Sequence, residues 1–408
     1  MKCRHCSKEL SHTFIDLGSS PPSNSYLTEH TMKEPEKWYP LKVMVCDSCW
    51  LVQTEDFVGS AEMFSDDYAY FSSYSRTWLE HAHNYVENMT VRFNLDADSM
   101  VVEIAANDGY LLQYVNDKNI PCYGIEPTHS TAQAAREKGI EIIEEFFGVE
   151  EAEKLVGQGR QADLTVSNNV LAHVPDINDF VKGFSILLKP NGVTTFEFPH
   201  LLNLVKQKQF DTIYHEHYSY LSLIAVQSIF EANGLTIFDV EEIPTHGGSL
   251  RIYAQRSDSN SHPISDNVKI IKSNEEQEGL DTLSFYTGFQ LQAKKVKFDM
   301  ISFLLKARSE GKSVVAYGAA AKGNTILNYA GIRPDSLPYV VDMNPAKQGK
   351  YMPGSRIPII DEARLKQDKP DYVLILPWNL KNEITNQLDY INDWGGKFVT
   401  VIPEVVIQ

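Results

Sequence analysis

The sequence predicts an α/β protein in three parts: an N-terminal zinc-binding module, a central doubly wound sheet and a smaller C-terminal α/β unit. Two Cys-x-x-Cys pairs within the first 50 residues mark the first part. From about residue 98, short apolar runs alternate with helical stretches, which is the pattern of a mainly parallel sheet. The same alternation begins again after about residue 312. A chain of 408 residues is long enough for two or three domains.

Short apolar runs predict the strands of both α/β units. In the central unit they lie at 100–104, 124–126, 163–167 and 193–198, after a helical stretch at about 73–92. In the C-terminal unit they lie at 313–318, 339–342 and 371–376, after a long amphipathic segment at 274–310. We therefore expect a zinc-binding domain at 1–65, a core domain at 66–270 and a C-terminal domain at 271–408.

The charge balance restricts the possible partners. Lys and Arg number 37 and Asp and Glu 54, so the formal net charge is −17. Sequence-independent binding to nucleic acid needs a basic surface, which this composition disfavours. The N-terminal residues have no apolar segment typical of a signal peptide, and no stretch is apolar for long enough to span a bilayer. We expect a cytoplasmic monomer or weak dimer with neither a nucleic-acid nor a membrane partner.

The two cysteine pairs are the most specific motif. Cys3 and Cys6 form one turn and Cys46 and Cys49 the other, and two such turns give the tetrahedral four-sulfur shell that Zn²⁺ favours. A four-sulfur site has no open coordination position, so the zinc would be structural. Four buried cysteines or two redox pairs are the alternatives. The fifth cysteine, Cys122, stands alone.

The run from Val102 to Tyr110 follows the first central strand and offers a tight turn at the carboxyl edge of the sheet. A dinucleotide-binding turn needs three glycines, and Gly109 is the only one here. An ordinary strand–turn–helix connection is therefore the alternative. Glu126 ends the second strand, where an acidic residue can accept hydrogen bonds from ribose hydroxyls.

The densest polar cluster runs from Tyr214 to Tyr220 and contains His215, Glu216 and His217. An imidazole is a natural general base near neutral pH, and a neighbouring carboxylate or phenol can orient it. The cluster is not His-Glu-x-x-His, which excludes a zinc-peptidase motif. A solvated loop is the alternative.

Three further segments carry candidate binding residues. Asp67–Ser75 contains Tyr68 and Tyr70, which could reach a sugar, although a packed strand or linker is the alternative. Thr245–Arg251 has a glycine pair and offers Arg251 to a phosphate, unless it is a hairpin turn with a surface arginine. Tyr317–Thr325 opens a helix with small residues and Lys322, which is typical of an anion site and also of an ordinary strand–helix turn.

Together these motifs resemble the sugar C-methyltransferases that act on nucleotide-linked deoxysugars, and the resemblance runs from end to end. The motifs that carry it are the four cysteines, Glu103-x-x-x-Asn107-Asp108-Gly109, Asn169-x-x-x-His173-Val174-Pro175-Asp176, Tyr214-His215-Glu216-His217, His246-Gly247-Gly248-Ser249-Leu250-Arg251 and Tyr317-Gly318-Ala319-Ala320-Ala321-Lys322-Gly323-Asn324.

The resemblance implies a central class I methyltransferase domain of Rossmann-like fold that binds S-adenosylmethionine. Its usual Glu-x-Gly-x-Gly-x-Gly loop has Ala105 and Asn107 in place of two glycines here. A helix-capping or core histidine is the alternative for His173. The cofactor-binding residues it implies are Glu103, Ala105, Asn107, Asp108, Gly109, Glu126, Asn168, Asn169 and His173.

The resemblance also implies the substrate, a dTDP-linked 4-keto-deoxysugar that is methylated next to the ketone, usually at C3. The implied base is His217, with Tyr214 and Glu216 beside the sugar and Tyr68 assisting. The implied substrate contacts are Tyr70, His215, Arg251, Lys322 and Asn324. Alternatives are methylation at C5, an O- or N-methyltransferase, and a binding protein without turnover. A dehydrogenase is disfavoured because the C-terminal unit lacks the dinucleotide fingerprint.

Overall fold

A computed structural model of the chain describes residues 1–55 and 71–408. The strands are β1 His12–Ser20, β2 Tyr39–Val45, β3 Val52–Thr54, β4 Val101–Ile104, β5 Cys122–Ile125, β6 Ile142–Ile143, β7 Ala162–Asn168, β8 Leu188–Pro199, β9 Ser219–Tyr220, β10 Leu235–Ile243, β11 Ser249–Arg256, β12 Val314–Tyr317, β13 Val340–Val341, β14 Ile359–Ile360, β15 Tyr372–Ile375, β16 Lys397–Thr400 and β17 Val406–Ile407.

The α-helices of the described residues lie mainly between these strands and cover the faces of the two larger sheets. They are α1 Arg76–Arg92, α2 Leu112–Asp117, α3 His129–Glu137, α4 Val149–Gly157, α5 Ile177–Leu187, α6 Leu201–Lys206, α7 Leu223–Ala232, α8 Asp266–Glu278, α9 Leu283–Tyr286, α10 Phe289–Ser309, α11 Ala321–Ala330, α12 Ala363–Asp368 and α13 Lys381–Gln387. Among them, no helix has the length and apolar character that crossing a membrane requires.

The central sheet has seven strands in the order β10-β11-β8-β7-β4-β5-β6. Only β11 runs against its neighbours, so the sheet is mainly parallel, as the alternation of strands and helices predicts. All four residues of β4 are buried, which fits a strand covered on both faces by helices. The carboxyl ends of β4, β5, β7 and β8 therefore meet along one edge, and the predicted cofactor residues follow the first three of these strands.

The C-terminal sheet has six strands in the order β14-β13-β12-β15-β16-β17, and only the last runs antiparallel. This is the strand order of dinucleotide-binding sheets. The segment predicted as one amphipathic stretch at 274–310 is divided among α8, α9 and α10. Two glycines with left-handed backbone, Gly279 and Gly288, separate these helices. The domain boundary expected after residue 270 falls within α8.

The N-terminal sheet joins the metal-binding module to the rest of the chain. Its order is β1-β2-β3-β9, and the fourth strand is supplied by residues that directly follow His217. Val52 pairs with Tyr220 and Gln53 with Ser219. The module is therefore hydrogen-bonded to the polar cluster that the sequence singles out.

The four cysteines of the module converge on one point. Their sulfur atoms all lie within 4.8 Å of one another, and the Cys3–Cys49 and Cys6–Cys46 sulfur distances are both 3.5 Å. Four sulfurs about 2.3 Å from a zinc ion lie about 3.8 Å apart, so the observed spacing fits tetrahedral zinc. The prediction of a closed structural site is confirmed. These residues would hold the zinc and leave no coordination position for a substrate.

Both cysteine turns have the same backbone. The residue after the second cysteine, Ser7 in one turn and Trp50 in the other, has a positive φ near 60°. Its N–H donates to the carbonyl of the first cysteine at 3.0 Å in each turn. His5 is not a ligand, because its ring nitrogens contact Asn178 and Ser228 at 2.9 and 3.2 Å.

The turn after β4 keeps a glycine-like path although it contains one glycine. Ala105, Asn107 and Gly109 have φ values of +58°, +50° and +74°. These are the three glycine positions of the Glu-x-Gly-x-Gly-x-Gly loop of class I methyltransferases. Asn tolerates the left-handed region, whereas Ala at this φ costs about 1–2 kcal/mol. The replacements therefore change the side chains of the loop and preserve its backbone path.

Replacing a zinc ligand tests the metal site. We expect Cys46→Ser to retain less than about 0.2 zinc per chain after dialysis, where the unmodified protein retains about one, because a tetrahedral site needs all four ligands. Cys122→Ser is the control, since this half-buried cysteine lies on β5 outside the cluster. Elemental analysis measures both. Equal zinc content in the two variants would contradict the assignment.

Replacing Gly109 tests the packing of the loop. Gly109→Ala should lower the free energy of unfolding by about 2–4 kcal/mol. The reason is that its β-carbon would lie 2.4 Å from Ile140 Cδ1, in addition to the strain of a positive φ. Gly139→Ala is the matched control, because its φ is +79° and no atom lies within 4 Å of the added carbon. Urea unfolding measures both variants, and equal losses would refute the packing argument.

Candidate active site

His217 is held in one tautomer at the centre of the site. Its Nδ1 lies 2.8 Å from the carbonyl oxygen of Thr212, which can only accept a hydrogen bond. Nδ1 therefore carries the proton, and Nε2 presents a lone pair. Within the described part of the chain, Nε2 makes no hydrogen bond. This is the arrangement that a general base requires.

The surroundings of His217 keep it neutral. Burial lowers its pKa well below the ordinary histidine value, and the nearby Lys322 ammonium acts in the same direction. The His173 ring lies 4.6 Å from the His217 ring at a steep angle, and the Tyr214 ring lies 4.0 Å away. Burial also lowers the pKa of His173 to about 4. Both imidazoles are therefore uncharged at neutral pH.

The segment after β7 brings His173 to this place. The N–H of Tyr218 donates to the carbonyl of Ala172 at 2.7 Å, which joins the post-strand segment to the polar cluster. The alternative of a solvated loop does not hold, since five residues of the cluster are 6% exposed or less. They are His215, Glu216, Tyr218, Ser219 and Tyr220.

Glu216 is held by a residue that the sequence does not mark. The amide of Asn24, in the N-terminal part, donates to both carboxylate oxygens at 2.7 and 2.9 Å. Burial raises the pKa of Glu216 to about 7, and these bonds oppose that rise. His215 turns towards the zinc-binding module, where its Nε2 lies 3.2 Å from the Pro40 carbonyl. The structure thus gives His215 a contact with protein backbone.

Three acidic side chains surround the turn after β4. Glu103 is fully buried, and burial raises its pKa well above the ordinary value, with the charges of Asp108 and Glu126 adding to the rise. Glu126 accepts hydrogen bonds from the backbone N–H groups of Asn107 and Thr128 at 3.0 and 2.9 Å. Such a concentration of carboxylates fits a cationic ligand. S-adenosylmethionine carries a sulfonium and an ammonium group, so the residues present fit it.

The carboxyl end of β7 carries buried polar side chains that have no hydrogen-bond partner among the described residues. Asn168 and Asn169 have buried amide groups, and in the described ranges neither the nitrogen nor the oxygen of either side chain is hydrogen-bonded. Buried polar groups are normally paired, so these atoms indicate a ligand at the carboxyl edge of β7. Asn169 has a left-handed backbone with φ +58°, which asparagine tolerates.

Residues 72 and 73 lie over the cofactor loop. The N–H of Ser72 donates to Asn107 Oδ1 at 2.9 Å, and that of Ser73 donates to Asp108 Oδ2 at 3.2 Å. Tyr68 and Tyr70, predicted to assist at the sugar, lie outside the described residues.

The helix α11, which follows β12 of the C-terminal sheet, lies at the candidate site. Lys322 Nζ donates to Asn379 Oδ1 at 2.9 Å and lies 4.7 Å from the centre of the Trp378 ring. Asn324 Nδ2 donates to the carbonyl of Ser23 at 2.5 Å, while its Oδ1 is buried without a partner among the described residues. The two residues predicted in this helix are thus brought near the polar cluster.

Arg251 does not fit the predicted phosphate contact. It is 6% exposed, and its guanidinium donates to Glu197 Oε1 at 2.6 Å and to Glu241 Oε2 at 3.3 Å. Glu197 also binds His81 Nε2 at 2.8 Å. The surface-arginine alternative fails as well, since the arginine neutralises a fully buried carboxylate. The partners of Arg251 are therefore two protein carboxylates and not the predicted phosphate.

The glycine pair before Arg251 makes its close contacts with protein. A β-carbon at Gly247 would lie 2.5 Å from the Trp378 ring, and one at Gly248 would lie 2.4 Å from Asn203 Nδ2. Because Gly247 has no side chain, the Trp378 ring can lie against the backbone of this turn. Sequence analysis missed Trp378, Asn24 and Asp211, and no local motif marks any of them.

Comparisons with known proteins find relatives of every part of the chain. Family models match three segments: a zinc binding domain at residues 3–64, a methyltransferase domain at 78–240 and a C-methyltransferase C-terminal domain at 244–403. The C-methyltransferase NovU of Streptomyces niveus is 31% identical over 404 residues, which cover 99% of this chain and 96% of NovU.

Solved structures of more distant methyltransferases resemble part of the chain. The magnesium protoporphyrin IX methyltransferase of Synechocystis PCC 6803, solved with bound S-adenosylmethionine, is 15% identical with a TM-score of 0.34 and covers 44% of this chain and 79% of its own. A methyltransferase of Clostridium acetobutylicum is 12% identical with a TM-score of 0.36 and covers 44% and 92%. These TM-scores are too low to relate the whole fold of this chain to either structure.

The match to NovU extends over nearly the whole of both chains, and all three parts of the fold have a counterpart among the family models. The chain therefore belongs to the C-methyltransferase family that includes NovU, and it is an S-adenosylmethionine-dependent C-methyltransferase with an N-terminal zinc-binding domain.

Proposed function

We propose that the protein methylates the carbon next to the ketone of a dTDP-linked 4-keto-deoxysugar, at C3, and that His217 is the base. The observation that carries the proposal is the partly buried, neutral His217, whose Nδ1 is fixed by Thr212 and whose Nε2 is available. A carbon becomes a methyl acceptor only after it loses a proton, and an adjacent ketone makes that proton acidic. A C-methyltransferase therefore needs a base of this kind.

The placement of the side chains supports the following reaction. His217 Nε2 takes the proton, and the electrons of the C–H bond move into the enolate. Bound S-adenosylmethionine supplies an electrophilic methyl group. The Tyr214 ring lies 4.0 Å from the imidazole at a tilt of 33°, and Glu216 is positioned by Asn24. Burial of the cluster excludes water, which would otherwise return a proton to the enolate.

The remaining assignments are part of the same proposal. The residues at or after the carboxyl ends of β4, β5 and β7 hold the cofactor, including Glu103, Glu126 and Asn169. Asn324 and Lys322 face the nucleotide sugar between the core and the C-terminal domain. Tyr68 and Tyr70 remain predicted contacts of the sugar. The division at 65 and 270, a cytoplasmic location and a monomeric or weakly dimeric state also remain proposals.

Proton exchange in deuterated water tests the proposed base. With a dTDP-4-keto-deoxysugar and no cofactor, the protein should exchange one proton beside the ketone, and NMR identifies the carbon. His217→Asn should slow this exchange by about 10²–10⁴-fold, the usual contribution of a general base. His83→Asn is the control, because this histidine is exposed on α1.

The possible outcomes distinguish the alternatives. Exchange at C5 would move the methylation site, and formation of S-adenosylhomocysteine without any C–H exchange would favour an O- or N-methyltransferase. Exchange at the unmodified rate in His217→Asn would refute the assignment of the base.

A further inference from the structure

Lys322 is a cation at the candidate active site that forms no salt bridge with the described residues, although it faces the Asp211 carboxylate. It lies in the first turn of α11, half-buried against Trp378. Among the residues that the structure describes, no acidic group lies within 4 Å of its ammonium, and Asn379 is its one hydrogen-bond acceptor. An ammonium group has three N–H donors, so at least one remains for a ligand.

The first turns of α11 are fixed to the loop that orients His217. Thr325 Oγ1 donates to the carbonyl of Ile213 at 2.8 Å, one turn beyond Lys322. Trp378, under the Lys322 ammonium, donates from Nε1 to Asp211 Oδ2 at 2.7 Å. Asp211 directly precedes Thr212, whose carbonyl fixes His217. The base and the lysine are therefore held by one short segment, residues 211–213.

We propose that Lys322 is the group that receives the ketone oxygen while His217 removes the proton. When Nε2 of His217 takes the proton, the C–H electron pair becomes the carbon–carbon double bond of the enolate, and the carbonyl π electrons move onto oxygen. Lys322 Nζ–H donates a hydrogen bond to that oxygen and balances its charge. No oxidant or other reactant is needed. This inference rests on the proposed function and gives Lys322 a role at the ketone of the sugar instead of at the diphosphate.

The chemistry of the site favours this role. A preorganised donor in a water-excluded site stabilises charge that develops during reaction more than charge already present in the substrate. The groups that face Lys322 are Asp211, His217 and His246. Burial raises the pKa of Asp211 to about 6 and lowers that of His246 to about 4. Lys322 is thus the one cation among the described groups that surround the base at neutral pH.

Two measurements on Lys322→Met separate the two roles of the lysine. If Lys322 receives the enolate oxygen, proton exchange at saturating substrate should fall by about 10²–10³-fold, the usual effect of losing such a donor. The Kd for dTDP, which has no ketone, should stay within about twofold. If exchange at saturation is unchanged and the Kd for dTDP rises tenfold, Lys322 binds the diphosphate and the proposal is overturned.

Control variants exclude a general effect of losing a lysine. Lys366→Met removes another lysine of the same domain, which lies 4.4 Å from the Tyr390 ring and outside the site. It should leave exchange unchanged. Lys322→Arg retains the cation and should recover most of the lost rate if it is the charge that matters; recovery by Lys322→Gln to the same extent would refute an electrostatic role.

The pH dependence provides a further test. Burial lowers the pKa of Lys322 to about 8, so its ammonium form should be lost as the pH rises through that value. Exchange by the unmodified protein should therefore decline above about pH 8, whereas Lys322→Arg should show no such decline, because an arginine stays protonated. An identical decline in Lys322→Arg would contradict the proposal. If the unmodified protein exchanges no proton at any pH, the proposed function itself fails, which is a separate result.

Discussion

The pairing of β3 with β9 is the contact on which the active site depends, because it joins the zinc-binding module to the loop of His217. Gln53 of β3 pairs with Ser219, and its side-chain amide contacts the sulfur of Cys3 at 3.3 Å. The next residue, Thr54, donates from its hydroxyl to the carbonyl of His217 at 3.1 Å. Two successive residues thus connect a metal ligand with His217, the proposed base. The zinc can stabilise the position of this histidine without contacting a substrate.

A second constraint is that the polar loop is buried, and buried polar groups need partners. Its partners come from every part of the chain: Asn24 from the N-terminal part, the Ala172 carbonyl from the central sheet and Thr325 from α11. Each of these bonds restricts the loop, and burial keeps its imidazoles neutral. Burial disfavours the charged imidazolium, so His217 is held in the neutral form, which is the form that can accept a proton.

The features that sequence analysis predicts well are local ones. The Cys-x-x-Cys turns follow from spacing alone, and the apolar runs mark β4 and β7 because both strands are covered by helices. The left-handed backbone of Ala105 could not be predicted from the local sequence, because alanine disfavours that conformation. Arg251 forms its salt bridge with Glu197, which lies 54 positions away in the sequence. The sequence near Arg251 does not show this partner, so the arginine was predicted to bind a ligand. For the same reason Asn24 has no signal in the sequence.

The C-terminal sheet shows why a fold does not determine a function. It has the dinucleotide-binding strand order, and Gly318 and Gly323 stand at two of the three fingerprint positions, with Ala320 at the third. The acidic residue after the second strand, Asp342, accepts hydrogen bonds from the N–H groups of Ala319 and Asn344, each at 2.8 Å. A ribose would have to compete with these bonds. The strand–helix turn instead carries Lys322, which we propose acts together with His217 of the central domain.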